Sequence, residues 1–499
     1  MISSNNYILN KTKINSGLQC QKKLWFDFHD PIEQKEEYLI KAGNLFGEVI
    51  RNNYGAGLDL SETHISDAVK KTSEALNSED IGVIYEAAFI YENTLVKTDV
   101  IRRVKNGWEL LEAKGSKIKK PEHIPDIAIQ SFIVRSCGVS LTSIKLILIN
   151  SEFIYQGKQN YKDLINDSED ITEEVNSEEK EVINHINRLK ELAGNVPSPK
   201  ISIGGHCEKP HTCNYKDRCK SLVPKSNVTP YTILPYVSKG LRAYCEENKI
   251  KSLLDVPAEQ LNVKHNHQKI QEAHRNNKPW FNSELKKIFK DFKWPLYFMD
   301  FETVQQKVPI IEKTSPFYSL PFQWSIHKWE TKNTKILLTE GEYFLDFSSH
   351  DIERKFLEKL LKVVGTKGTI FAHSAGTEKG VLNKLKDKKN CEDLTEAIDK
   401  LNSRVFDTLQ LVRKNFYDPL MNGSYSLKDI IKAIPGAISY GQEGGIGGGM
   451  GAQLAWLVCT DKKTSEQEKK EEENLLKNYC AKDTFNLYLL IKYLMFSSK

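Results

Sequence analysis

Apolar and polar positions follow three kinds of pattern along the chain, and each predicts a different element. The longest aliphatic run, Leu146–Ile149, is short and unbroken, which fits a buried strand. Thr94–Gly115 holds two β-rich runs on either side of Lys105-Asn106-Gly107, and Asn-Gly predicts a hairpin. Pro295–Met299 is a further apolar strand that ends in Asp300-Phe301-Glu302. Asp126–Gln130 and Tyr479–Asp483 read as helical. The acidic stretches Asp167–Lys180 and Lys462–Glu473 read as solvated helix faces or loops. Gly444–Gly451 has no clear strand before it and no Lys-Ser/Thr after it, so it reads as a flexible loop rather than a phosphate cradle. No repeat of 20 to 50 residues is visible.

These signals divide the 499 residues into three regions, more than one hydrophobic core usually organises. Residues 1–222 mix helix and strand and end in a Cys/His-rich knot. Residues 223–290 open with Pro224, Pro230 and Pro235 and then turn helical and polar. Residues 291–499 alternate strand and helix again, so the expected class is α/β. Within the middle region, Lys249–Pro257 fits a short helical DNA-binding hairpin or a plain helical spacer. His265, His267 and His274 have no ligand-like spacing and read as surface residues.

Composition adds little. A net charge of +5, from 71 basic against 66 acidic side chains, is too mild to imply nucleic-acid binding, so any basic surface must be local. Met1–Lys13 lacks the apolar stretch of a secretory signal, and Leu146–Ile149 is far too short to span a bilayer. The expectation is a cytoplasmic protein with no membrane partner, whose nine cysteines are not disulfides. Cys137, Cys245, Cys391, Cys459 and Cys480 are scattered and read as small core residues.

The predicted hairpin carries the first chemistry. With Asn106-Gly107 as its turn, Asp99 faces Lys114; with the turn one residue earlier, Asp99 faces Glu112. Under either register Asp99, Glu112 and Lys114 share a face. Two acids and a lysine so placed can hold a hard divalent cation beside a water, or form a salt-bridge ladder. The spacing D-x12-E-x-K resembles the PD-(D/E)XK nuclease fold. That resemblance implies a following helix bearing Gln130, and an early helix whose Glu48 is a metal ligand, with Glu86 ranked below it for that role. It also implies that Lys114 positions or polarises the nucleophile.

Cysteines carry the second. Cys207, Cys213 and Cys219 are spaced C-x5-C-x5-C, and Cys20 lies far upstream beside Lys22, Lys23 and Trp25. His206 and His211 among them make zinc a possible ligand. One early cysteine plus three at the end of the domain resembles the iron–sulfur nucleases of the RecB-like group, the CRISPR-adaptation exonucleases among them. A [4Fe–4S] cluster on Cys20, Cys207, Cys213 and Cys219, clipping the domain together, is what this resemblance implies.

A second acid set follows. On a strand Asp300 and Glu302 point the same way, which costs repulsion unless cations bind between them. Tyr479 and Asp483, four apart, share a helix face. D-x-E on a strand and Y-x3-D on a helix resemble the DnaQ-like exonucleases of DEDDy type, with a ribonuclease H-like fold. The resemblance extends to Gly423–Lys428, a loop and helix. It implies Mg(II) or Mn(II) held by Asp300, Glu302 and Asp483, with Tyr479 orienting water. It also implies a third acid after a strand, where this chain has Glu378 in place of the usual Asp, with Asp407 the other candidate metal ligand.

The order of parts resembles a family of bacterial proteins fusing an iron–sulfur RecB-like nuclease to a DnaQ-like exonuclease. The expected function is metal-dependent phosphodiester hydrolysis, as a DNA exonuclease in repair, recombination or defence against foreign DNA. A ribonuclease, a decayed nucleic-acid-binding module and an iron–sulfur electron carrier are the competing readings; the last needs neither acid set.

Overall fold

The computed structural model describes residues 8–32, 37–194, 196–222, 228–348, 351–440, 446 and 448–497, with backbone alone for 37–44. It is a mixed α/β protein of two compact units, Met1–Pro224 with Gln306–Tyr318 and Lys225–Gln305 with Ser319–Lys499.

The first unit contains β1 (Leu9–Asn10), α1 (Lys11–Gln19), α2 (Gln21–His29), α3 (Glu37–Tyr54), β2 (Leu58–Asp59), α4 (Ile65–Asn77), β3 (Val83–Tyr91), β4 (Thr94–Val104) and β5 (Gly107–Ala113). It continues through α5 (His123–Ser136), β6 (Leu141–Ile149), β7 (Ile165–Asp170), α6 (Thr172–Lys190) and α7 (Lys216–Leu222). One sheet runs β2-β3-β4-β5-β6-β7, with β1 beside β4. Alternation gives it two apolar faces. Ile84, Ile101, Leu110, Ile144 and Leu146 pack with Ile14 of α1, Ala68 of α4, Ile127 of α5 and Val182 of α6. Val83, Val100, Leu111 and Ile147 pack instead with Phe46, Val49 and Ile50 of α3 and with Val308. Leu146–Ile149 is buried throughout, as its pattern predicts.

Val104 pairs with Gly107, so the hairpin turns at Lys105-Asn106 and Asp99 falls opposite Glu112, the second of the two registers considered. On the other side, Tyr85 pairs with Val100 and Ala87 with Thr98, which leaves Glu86 beside Asp99. Glu86 interrupts its strand with φ 54°, a left-handed conformation that costs a non-glycine residue on the order of 1–3 kcal/mol.

The second unit begins with α8 (Lys239–Glu247), α9 (His267–Asn276), β8 (Trp280–Phe281), α10 (Leu285–Asp291), β9 (Leu296–Val304), β10 (Leu320–Trp329), β11 (Glu342–Leu345) and α11 (Ile352–Val364). It ends with β12 (Thr369–Ala372), α12 (Gly376–Lys386), α13 (Thr395–Arg404), β13 (Val405–Asp407), α14 (Thr408–Asn415), β14 (Phe416–Tyr417), α15 (Leu427–Ile430), α16 (Gly449–Thr460) and α17 (Glu466–Ser497). Its sheet runs β11-β10-β9-β12-β13. β9 is antiparallel to β10, β10 to β11, and β12 is parallel to both β9 and β13.

Several expectations change. Residues 228–290 form no separate spacer: Tyr231, Leu241, Leu253, Ile270 and Leu285 share one core with Phe298, Phe371 and Tyr488. His267 is therefore buried, bonded to the Asn262 N–H and the Pro235 carbonyl, and His274 pairs with the Tyr417 hydroxyl at 2.9 Å, so neither is a free surface residue. Cys245, Cys391, Cys459 and Cys480 are buried as expected, but Cys137 is exposed. Asp167–Asp170 belong to edge strand β7, whose residues alternate in exposure. Glu466–Glu473 open the 32-residue helix α17. Gly444, Gly445 and Gly447 of the glycine stretch lie outside the described residues, while Gly449–Gly451 start α16. Among the described residues no helix is long and apolar enough to cross a membrane.

Gly423 takes φ +80°, and a methyl group there would overlap the Ile233 carbonyl. Gly423→Ala should lower the unfolding free energy by about 2 kcal/mol or more in urea titrations. Gly436→Ala, at φ +77° but facing open space, should cost about 1 kcal/mol.

Candidate functional site

The strand β9 carries Asp300 and Glu302 on one side, and α17 brings Asp483 to them. One carboxylate oxygen from each lies within 4.8 Å of the others, the one such group of three potential metal ligands among the described residues. Glu302 and Asp483 are buried and Asp300 half-buried. Burial pushes all three acids up, Asp483 to about 6, and repulsion from neighbouring carboxylates adds to it for Glu302, raised to about 8, and for Asp300, raised well above the ordinary carboxylate range. Three hard oxygen donors at this separation fit a divalent cation such as Mg(II) or Mn(II).

Other side chains compensate part of the charge. The Tyr440 hydroxyl donates to Asp483, as does that of Tyr479. The Cys480 thiol donates to Asp300 Oδ2 at 3.4 Å. The Lys428 ammonium lies 5.2 Å from the Tyr440 ring centre and 5.7 Å from that of Tyr479, and its charge draws Glu302 and Asp483 back down.

Glu378, in the first turn of α12, is buried with Oε2 lacking any partner, and burial raises it to about 7. Its charge acts on both Asp300 and Glu302, yet it stands outside the tight group of three. Asp407 has a different occupation. It caps α14, accepting from the Leu409 and Gln410 N–H groups at 2.9 and 3.4 Å, and so does not join the three. Tyr440 and Lys428 carry no spacing with the acids that marks them in the sequence. Cys480 has a legible signal, since it lies three residues before Asp483 on the same helix.

In the first unit, Glu86, Asp99 and Glu112 form a row across three strands. Asp99 accepts from the Ala113 N–H at 2.6 Å; burial and the neighbouring Glu112 raise it to about 8. Burial works against the Glu112 carboxylate too, but Lys11 and Lys114 outweigh it and bring Glu112 down to about 2. Lys114 donates to Glu112 at 3.0 Å and to Asp126 of α5. Lys11, the first residue of α1, reaches both acids as well, Asp126 at 3.2 Å. Glu112 Oε2 and both amide atoms of Gln130 are buried without partners. Gln130 lies one turn beyond Asp126 on α5. Lys307, from Gln306–Tyr318, lies against Gly115 and feels the charge of Asp99.

Glu48 does not reach this cluster. It is exposed on α3, which packs on the sheet face of Val100 and Leu111, and strand alternation turns Glu112 to the opposite face. Glu86, ranked below it from sequence, is the acid that stands beside Asp99. Lys11 and Asp126 were missed. Asp126 and Gln130 are four apart on a helix, a same-face signal that was available.

The four cysteines share one neighbourhood. Cys207 and Cys213 pack with Phe26 and Tyr215, with Cys219 and Trp25 alongside. Burial raises the Cys213 and Cys219 thiols, and the charges of Cys20 and Cys207 act on both; Lys23 and Lys22 pull the other way. Gln19, next to Cys20, donates to the carbonyls of His206 and His211 at 2.9 and 2.6 Å. Among the described residues no three of the Cys and His donors lie within 4.8 Å of one another.

Residues 297–426 match a family described as a domain of unknown function, DUF2779. The matched stretch contains Asp300, Glu302, Glu378 and Asp407 but ends before Tyr479 and Asp483. A comparison with curated proteins finds no match.

The raised acids of the second unit predict a pH dependence. Each binds its proton more tightly in the folded chain, so their contribution to stability is complete below pH 4 and lost as pH climbs through about 8, where Glu302 ionises. Without divalent metal, the melting temperature should fall between about pH 5 and 8, and Mn(II) should restore it most at the upper end. Glu302→Gln should flatten the metal-free decline; an unchanged slope would show that these acids are not coupled to folding.

Proposed function

We propose that the chain is a metal-dependent nuclease with two carboxylate sites, acting on DNA. The observation that carries this reading is the Asp300, Glu302 and Asp483 group, three carboxylates gathered at a separation that charge repulsion opposes unless cations occupy it. The D-x-E pair on the central strand of a five-stranded sheet and Tyr479 with Asp483 on α17 support a DnaQ-like, ribonuclease H-like second unit, acting 3′→5′. The row of Asp99 and Glu112 with Lys114, and Gln130 on the following helix, support a PD-(D/E)XK first unit.

Two divalent cations at the second site would activate a water and stabilise the leaving 3′-oxygen. Asp300, Glu302 and Asp483 would hold them. Tyr479, bonded to Asp483, orients the attacking water, and Lys428 supplies positive charge for a phosphate. Glu378, buried and close enough to raise Asp300 and Glu302, completes the acid set in place of the usual Asp. At the first site Lys114 positions the nucleophile beside Asp99 and Glu112.

For the cysteines we favour a [4Fe–4S] cluster over zinc. Tetrahedral zinc with Zn–S bonds near 2.3 Å needs sulfurs roughly 3.8 Å apart, whereas Cys20, Cys207, Cys213 and Cys219 share a neighbourhood without any such trio. A reducing cytoplasmic setting suits such a cluster. Repair, recombination or defence against foreign DNA are the roles in which such a nuclease would serve.

The test uses anaerobically purified protein with end-labelled single- and double-stranded DNA and RNA, plus Mg(II) or Mn(II). Cleavage should require metal, and the Asp99→Ala/Asp300→Ala double variant should be inactive, with each single variant losing one activity. Tyr479→Phe should slow the second site by on the order of 10²-fold. Wild-type protein that binds every substrate and cuts none would replace the nuclease reading with a binding module.

A further inference from the structure

The row of acids in the first unit already holds a cation, and it belongs to the protein. Lys11 Nζ bonds Glu112 Oε1 and lies 3.2 Å from Asp126 Oδ2, and Asp99 also feels its charge. Lys114 shares the same two oxygens. Asp99 Oδ2 is taken by the Ala113 N–H. Glu112 Oε2 therefore stands out: it is buried, lacks any partner and belongs to the same row.

The position of Lys11 is imposed from both ends of its helix. Asn10 caps α1 by accepting from the Lys13 N–H at 2.9 Å, and Asn15, one turn on, donates to Asp126 at 2.8 Å. At the far end Gln19 holds the carbonyls of His206 and His211, in the loop that bears Cys207 and Cys213. The side chain reaches the carboxylates because the whole helix is fastened across them.

We propose that Lys11 is a tethered competitor for the divalent cation of the first site: the ammonium and the metal occupy the same carboxylates in alternation. The proposal rests on the reading of Asp99 and Glu112 as metal ligands. Metal entry then exchanges one cation for another, with the ammonium leaving Glu112 for solvent or for a substrate phosphate. The first site would load weakly until something draws Lys11 away, and a nucleic-acid phosphate is a group that can do so.

The test is Mn(II) binding, followed by the electron paramagnetic resonance of the free ion. The full chain carries Asp300→Asn and Asp483→Asn so that the second site is silent. Lys11→Met should tighten the Glu112-dependent Mn(II) site by about tenfold or more, since a unit charge at this range is removed from a poorly solvated place. Lys11→Arg, which keeps the charge, should bind as the parent does. Lys11→Gln, which keeps a donor for Glu112 without the charge, should tighten binding too and stands in if Lys11→Met does not fold. Equal or weaker binding in the folded neutral variants would overturn the competition while leaving the metal site intact. If no Mn(II) binding in parent or variants is lost on Glu112→Gln, the first-site metal reading falls as well.

Discussion

Carboxylates gathered away from water repel one another, and both units are arranged around the need to offset that repulsion. At 4 Å and an effective dielectric constant near 20, two like charges oppose each other by about 4 kcal/mol. The second unit leaves much of this uncompensated. Glu302 and Asp483 keep their protons to about 8 and 6, and neutral donors, the Tyr440 and Tyr479 hydroxyls and the Cys480 thiol, share the rest. The first unit places two ammonium groups directly on its acids, and Glu112 stays ionised down to about 2.

Such repulsion survives only on a scaffold that cannot relax. β9 is the middle strand of its sheet, with β10 on one side and β12 on the other. Phe298 stacks on Phe371 of the neighbouring β12, with ring centres 5.6 Å apart, and meets Tyr488 of α17 edge-on. Burying a ring of this kind contributes roughly 1.5–3 kcal/mol. The same helix that supplies Asp483 is thereby locked to the strand that supplies Asp300 and Glu302. In the first unit the backbone itself is strained, with Glu86 at φ 54° within a strand. The strain falls at the position beside Asp99.

What could be read along the chain was whatever local geometry determines. The Asn-Gly hairpin, the D-x-E strand and the Y-x3-D helix each lie within about twenty residues, and strand or helix period alone sets which side chains share a face. Even there the hairpin admitted two registers, because the turn could centre on either of two residue pairs. Contacts between distant segments were not legible. Lys11 meets Glu112 across 101 positions, and Tyr440 meets Asp483 across 43. The prolines of residues 223–290 suggested a spacer, yet the apolar residues beyond them enter the core of the second unit. Glu48 had the right residue type on an early helix, but the choice between the two sheet faces is made by packing, which pattern does not specify. The same limit hid the role of Asp407, whose carboxylate is consumed in capping a helix.

The two ways of offsetting charge have different consequences for what each unit needs. Protons can compensate buried acids only while pH stays below their raised pKa values, so repulsion in the second unit returns as pH climbs from about 6, where Asp483 ionises, through about 8, where Glu302 does. In the first unit two ammonium groups compensate Glu112 and Asp126 at any pH a cell meets, while Asp99 still relies on its proton up to about 8, so a cation arriving at Glu112 meets charge already bound there. The two units thus surround their buried acids differently, one with hydroxyl and thiol donors and the other with ammonium groups. The distinction comes from which residues accompany the acids, not from the acids themselves. For that reason the spacing of acidic residues, however suggestive, describes only half of either site.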